Sequence, residues 1–323
     1  MSASARRIVL TLSAIGLISA LPFVLSSSWL LVVFLSFIWL TMAANYDILD
    51  GHLGHINLAQ GAFFGLGAYA ATILLNLQAI QQLGLGAYAV VTVAAIMTSA
   101  AFAALMAFPL FRLKGLYFAI GTLILIFLLQ VLALNLTPLT GGSYGMYIPP
   151  SLFMSTIAGY YLAFGLAIIS VAINFYLSRS RLGLAFRCIK EDEDAAGSIG
   201  LHPMKYKSVG IVLSSLPTAV AGVLFALNSG FIDPNIALGL ERSLLPSLMA
   251  LLGGAGTVLG PVFGVAIIRL IETVFFHYLH LPVPSMLFFG VTLLVVALFV
   301  PEGLLRSPRI RRLALVQRLT LLG

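Results

Sequence analysis

The side chains able to do chemistry are few and unevenly spread. Of the 17 basic and 10 acidic residues in this chain of 323, six basic and four acidic ones fall between Ser178 and Lys207, where Glu191, Asp192, Glu193 and Asp194 are consecutive. A run of acids suits a helix N-terminus, because the unsatisfied N–H groups of the first turn carry partial positive charge. The segment AAGSIG that follows is therefore expected to form about two helical turns, stopped at Gly200 and barred from continuing by Pro203. A helix so short is marginal alone in water and has to be held by something. With a small apolar face of Ala195, Ala196 and Ile199, it suits docking into the groove of a soluble partner; an interfacial helix without a partner is the plainer alternative. The other reactive types suggest no catalysis. The one cysteine, Cys188, excludes an internal disulfide and a cysteine metal cluster. His52 and His55 lack a matching carboxylate-rich motif, and no metal is expected. There is no Gly-x-x-x-x-Gly-Lys-Ser/Thr stretch to hold a nucleotide and no cofactor fingerprint.

The remaining polar groups stand in oil. Asn57 and Gln60 precede the run GAFFGLGAY, and lipid would satisfy neither, so they are expected to face other helices or a watery cavity. Gly61 and Gly65 form a GxxxG that lets helices approach closely, and tight packing competes here with a pathway lining. Arg269 and Glu272 are three residues apart, the spacing of an intrahelical pair, with a proton or substrate relay as the alternative.

The elements that must position these residues are membrane spans. The chain is 61% hydrophobic and 8% charged, with a mean hydropathy of +1.10 and repeated apolar runs near the ~20 residues that cross a bilayer. Its formal net charge of +7 lies at span ends and not on one face, which suits membrane orientation better than nucleic-acid binding. The opening residues, with Arg6 and Arg7 ahead of an apolar core, resemble a signal peptide but are read as an uncleaved first span. Further spans are expected at 29–45, within 47–77, where polar residues and glycine run into the third span, at 88–111, 115–134, 157–177 and 208–228, and at 285–300. The stretch from Ser243 to Phe275 holds Gly253, Gly254, Gly256, Gly260 and Pro261 in its middle, and is expected to be a broken span or a tight turn between two short ones. The total is an all-α polytopic protein of about ten transmembrane helices, with the 178–207 stretch and both termini in the cytoplasm by the positive-inside rule. Such a chain is either an ion-driven carrier or a permease driven by a separate ATPase that grips the charged stretch; carriers need ionisable groups buried in their spans, and few are present here.

Four blocks decide between these readings: GAFFGLGAY at 61–69, RLKGLYFAIGTL at 112–123 with LTGGSYGM at 139–146, SRLGLAFRCIKEDEDAAGSIGL at 180–201, and LLGGAGTVLGPVFG at 251–264. Together they resemble the permease subunits of branched-chain amino-acid ABC transporters of the LivM type, over nearly the whole chain. The resemblance implies a single permease domain over residues 1–323, in the bacterial inner membrane, with no cofactor of its own. It implies a second permease subunit, two cytoplasmic ABC ATPases and a periplasmic substrate-binding protein as partners. It assigns ATPase coupling to Arg187, Glu191, Asp192, Ala195, Ala196 and Gly200, and a substrate pathway to Asn57, Gln60, Phe63, Phe64, Tyr69, Gly253 and Gly254. Leucine, isoleucine and valine are the implied substrates; relatives of this architecture take urea, short amides or other amino acids. The chain departs from the type at Asn57-Leu58-Ala59, where Ser-Leu-Gly is the usual text.

Overall fold

The computed structural model describes residues 16–275 together with Ser13, Leu287, Gly290, Val291, Leu294 and residues 303–305. Ten helices organise this part: α1 (Ser27–Leu53), α2 (Gln60–Leu75), α3 (Gly86–Leu110), α4 (Leu116–Asn135), α5 (Thr156–Arg179), α6 (Arg181–Glu191), α7 (Glu193–Ser198), α8 (Pro203–Ser229), α9 (Glu241–Gly253) and α10 (Gly260–Thr273). Among the described residues, six stretches are long and apolar enough to cross a bilayer: α1, α3, α4, α5, α8, and Pro234–Gly253, which joins a one-turn helix to α9. Of the ten spans expected, those from 1 to 27 and from 285 to 300 fall largely outside the described residues.

The remaining spans appear with altered bounds. The second continues well past Asn45: the polar stretch from Asp47 to Leu53 is the last part of α1 and is not a loop leading into the third span. Gly54 ends the helix in a left-handed conformation, φ 71°, which a side-chain-bearing residue adopts only at a cost. The third span, α2, has 16 residues and rises only about 24 Å, short of a ~30 Å hydrocarbon core. Residues 54–59 make up the difference as irregular chain. That chain is held inside the protein, where Leu58 N–H donates to Thr122 Oγ1 of α4 at 3.0 Å. Irregular backbone at depth is tolerated only when protein satisfies it in this way.

The long helices alternate between two ends. At one end lies the charged stretch, with Lys190 Nζ donating to Gly51 O of α1 at 2.8 Å. At the other, a two-residue antiparallel ladder pairs β1 (Met146–Tyr147) with β2 (Phe231–Ile232), a small departure from all-α. At that end Asn76 donates to Tyr147 O, and Tyr88 to Leu152 O.

The core is where α2 and α8 cross with α1 and α9 around them. The glycines that allow this are not the expected pair alone. A methyl carbon at Gly67 would lie 2.8 Å from the Ala219 Cα of α8, and one at Gly222 2.9 Å from the Ala68 nitrogen of α2. Gly61 instead faces Ser243 and Arg242 of α9, and Gly65 faces Leu238.

Residues 243–275 form a tight hairpin of the two short helices α9 and α10. A methyl carbon at Gly264 would lie 2.7 Å from the Met249 carbonyl carbon, and one at Gly253 3.0 Å from the Gly260 Cα. The turn is satisfied by the rest of the chain: Gly256 N–H donates to Asp47 Oδ1 of α1 at 2.6 Å, and the Leu304 and Leu305 amides donate to the Leu252 and Gly253 carbonyls.

Candidate functional site

Two regions collect the residues singled out by sequence. The first is the charged stretch, which is two helices and not one. Ser180 caps α6, its hydroxyl accepting from Gly183 N–H at 3.1 Å. That helix is amphipathic: Gly183, Ala185, Phe186 and Ile189 turn inward, and Arg187 lies exposed with its Nη2 on Ser178 O at 2.9 Å. Asp192 then caps α7, one carboxylate oxygen accepting from the amides of Asp194 and Ala195 at 2.9 Å each. After α7 the chain turns at Gly200, φ 89°, as its position past the helix requires.

The expected docking face needs a correction. Ala196 is buried against the chain's own body, not presented to solvent. Glu193 pairs with Lys207 of α8 at 2.5 Å, and the Lys207 ammonium lies 5.8 Å from the centre of the Phe111 ring. These contacts hold a helix too short to stand alone, so no outside partner is needed to order it. Of the residues singled out in this stretch, Arg187, Glu191, Asp192, Ala195, Gly200 and Ile199 remain exposed, the last at 72%. Nearby His55, in the loop after α1, sits edge-on to Phe111 and Phe118.

The second region is the interior between α1, α2, α8 and α9. Asn57, Gln60, Phe63 and Phe64 are all fully buried. Gln60 is satisfied across the α2–α8 crossing, its Nε2 donating to Ser214 Oγ at 3.2 Å and its Oε1 accepting from Thr218 Oγ1 at 2.8 Å. Asn57 Oδ1 accepts from Ala59 N–H at 3.0 Å, while its Nδ2 and the Tyr69 hydroxyl have no hydrogen-bond partner among the described residues. Gly253 and Gly254 lie at the hairpin turn, where Gly254 has φ 115°. Arg269 and Glu272 pair as expected at 2.5 Å, and Arg269 also reaches Ser36 Oγ at 3.2 Å.

Sequence reasoning missed Arg242. This residue of α9 is 6% exposed, and its guanidinium is surrounded by the rings of Trp39, Phe64 and Phe225, at 4.9, 5.0 and 4.6 Å from their centroids. Its position after Glu241 reads as a charged helix start at an outer loop, so the signal was the arginine itself, one residue before an apolar run.

Residues 28–297 match the family described as branched-chain amino acid transport system / permease component. The chain belongs to that family. The permease is 29% identical to the high-affinity branched-chain amino acid transport system permease protein LivM of Escherichia coli, over 90% of this chain and 73% of that protein. It is 25% identical to LivH of the same organism, over 84% of this chain and 92% of that one. It is also 28% identical to the probable permease protein LivM of Methanocaldococcus jannaschii, over 75% and 77%. No solved structure matches the permease. Its relatives are transport permeases, and it is of the LivM type.

Proposed function

We propose that this permease forms, with a second permease subunit, the membrane pathway of an ATP-driven importer of leucine, isoleucine and valine. The observation that carries the reading is the family match over residues 28–297, with the relatives' names giving the substrate class. ATP hydrolysis belongs to two separate ATPase subunits, and a periplasmic binding protein delivers the substrate. The charged stretch lies in the cytoplasm of a bacterial inner membrane with both termini, as the arginines and lysines beside the spans support. Arg187, Glu191, Asp192, Ala195, Ile199 and Gly200, exposed on and beside α6 and α7, form the surface that meets an ATPase. Anchoring of α7 through Glu193–Lys207 and Ala196 supports this role, because a rigidly held surface passes movement to α8 where a loose loop would absorb it. Asn57, Phe64 and Tyr69 border the pathway, and the unpartnered amide and hydroxyl support that placement.

The test is uptake of labelled leucine by cells carrying the permease with and without its ATPases. Uptake is expected to require the ATPases and to survive collapse of the proton gradient while ATP is maintained. Uptake by the purified permease alone, in liposomes under an ion gradient, would make it a carrier.

A further inference from the structure

Arg242 is a cation in a place that disfavours one. It is 6% exposed, in a stretch apolar enough to cross a bilayer, where an arginine at a helix centre costs about 2.5–3.5 kcal/mol on insertion scales. No carboxylate pairs with it: among the described residues the ion pairs are Lys207–Glu193 and Arg269–Glu272, and neighbouring Glu241 faces outward. Its Nε donates to Ile236 O at 3.1 Å, while Nη1 and Nη2 donate to no described residue. The three aromatic faces offset part of the desolvation, but they do not occupy the two forked N–H groups that suit a carboxylate.

A purely structural role explains this poorly. A buried charge without a paired carboxylate is costly, and a methionine would fill the aromatic surroundings without that cost. The position of the guanidinium is informative. Side chains in a helix tilt toward its N-terminus, and the bond to Ile236 O, ahead of α9, places the charged group at that end. The helix is a short half of a hairpin, and Leu240 gives it no side-chain cap. The start of such a broken helix is itself electropositive and favours anionic groups of a substrate.

We infer that Arg242 is a specificity-determining residue that binds the α-carboxylate of the transported amino acid, with Trp39, Phe64 and Phe225 taking its aliphatic body. The inference rests on the proposed amino-acid import and extends it to a substrate contact inside the permease. An arriving carboxylate takes the two Nη groups, while Nε keeps its bond to the Ile236 carbonyl and holds the guanidinium in place.

The experiment uses the full transporter complex with Trp29→Phe, which leaves Trp39 as its permease's one tryptophan. In the absence of binding protein, leucine and 4-methylpentanoate, which carry the carboxylate, are expected to change Trp39 fluorescence saturably, and 3-methylbutylamine, which lacks it, is not. Arg242→Met is expected to abolish the response and to cut leucine uptake about tenfold or more, at wild-type membrane level. Arg242→Lys, keeping the charge without the fork, should fall between. An Arg242→Met complex that imports leucine at the wild-type rate, or an amine that responds as strongly as leucine, overturns the inference alone. A wild-type complex that imports none of the three branched-chain amino acids overturns the underlying reading, and the inference with it.

Discussion

Gly222→Ala perturbs the crossing of α2 and α8, and its size can be worked from the backbone. The added methyl carbon would lie 2.9 Å from Ala68 N and 3.0 Å from the Phe64 carbonyl carbon, with the Phe64 oxygen closer still. Ordinary contact between such atoms needs about 3.5–4.0 Å. The helices must therefore separate by roughly 1 Å, and overpacking of this kind costs about 1–3 kcal/mol. The same movement stretches the bonds of Gln60 to Ser214 and Thr218, each worth about 0.6 kcal/mol inside a membrane protein. Alanine returns up to about 1 kcal/mol through helix propensity, leaving a net loss of roughly 1–3 kcal/mol. Taken at about 2–4 °C per kcal/mol, the melting temperature of the purified permease should fall by roughly 2–12 °C. Gly165→Ala is the control. It lies in α5, where an added methyl meets nothing within 4 Å, and should be neutral or slightly stabilising. If Gly222→Ala melted at or above wild type while Gly165→Ala behaved as expected, close backbone approach would not be what holds α2 to α8.

Ile199→Asp should leave the permease inserted at wild-type level but abolish co-purification of its ATPases, whereas Ala196→Arg should lower the amount of folded permease, since that side chain is buried. Glu193→Gln should lower the melting temperature more than Lys207→Met. The first leaves a lysine side chain of 3% exposure unpaired, at a cost of about 1–2 kcal/mol, and the second leaves a carboxylate that is 43% exposed.

The spans were legible because apolar length is a direct consequence of crossing lipid. The 88–111, 115–134, 157–177 and 208–228 runs correspond to α3, α4, α5 and α8 within a few residues. The break in 243–275 was legible for a related reason, since its glycines stand where a regular helix would need side chains. The continuation of α1 through Asp47 and His52 was not. Composition treats those residues as loop, and only tertiary burial, including the Gly256 amide on Asp47, makes them helical. The close approach at Gly67 and Gly222 was hidden too, because no local spacing links glycines 155 positions apart. The inward turn of Ala196 was misread because α6, which with α8 anchors the stretch, was not anticipated, although its amphipathic spacing stands in LGLAFRCI.

The hairpin also constrains the order in which the chain can be assembled. With 14 residues, α10 rises only about 21 Å, so it cannot leave the insertion machinery as a free-standing span. It must be released together with α9, with their turn shielded from lipid. The acceptor for the Gly256 amide is on α1, made long before, so half of the socket is waiting. The donors to the Leu252 and Gly253 carbonyls come from residues 304 and 305, made after the hairpin. The turn is thus completed only when synthesis has passed residue 305, and a ribosome stalled before that point holds a permease whose hairpin still lacks part of its seal.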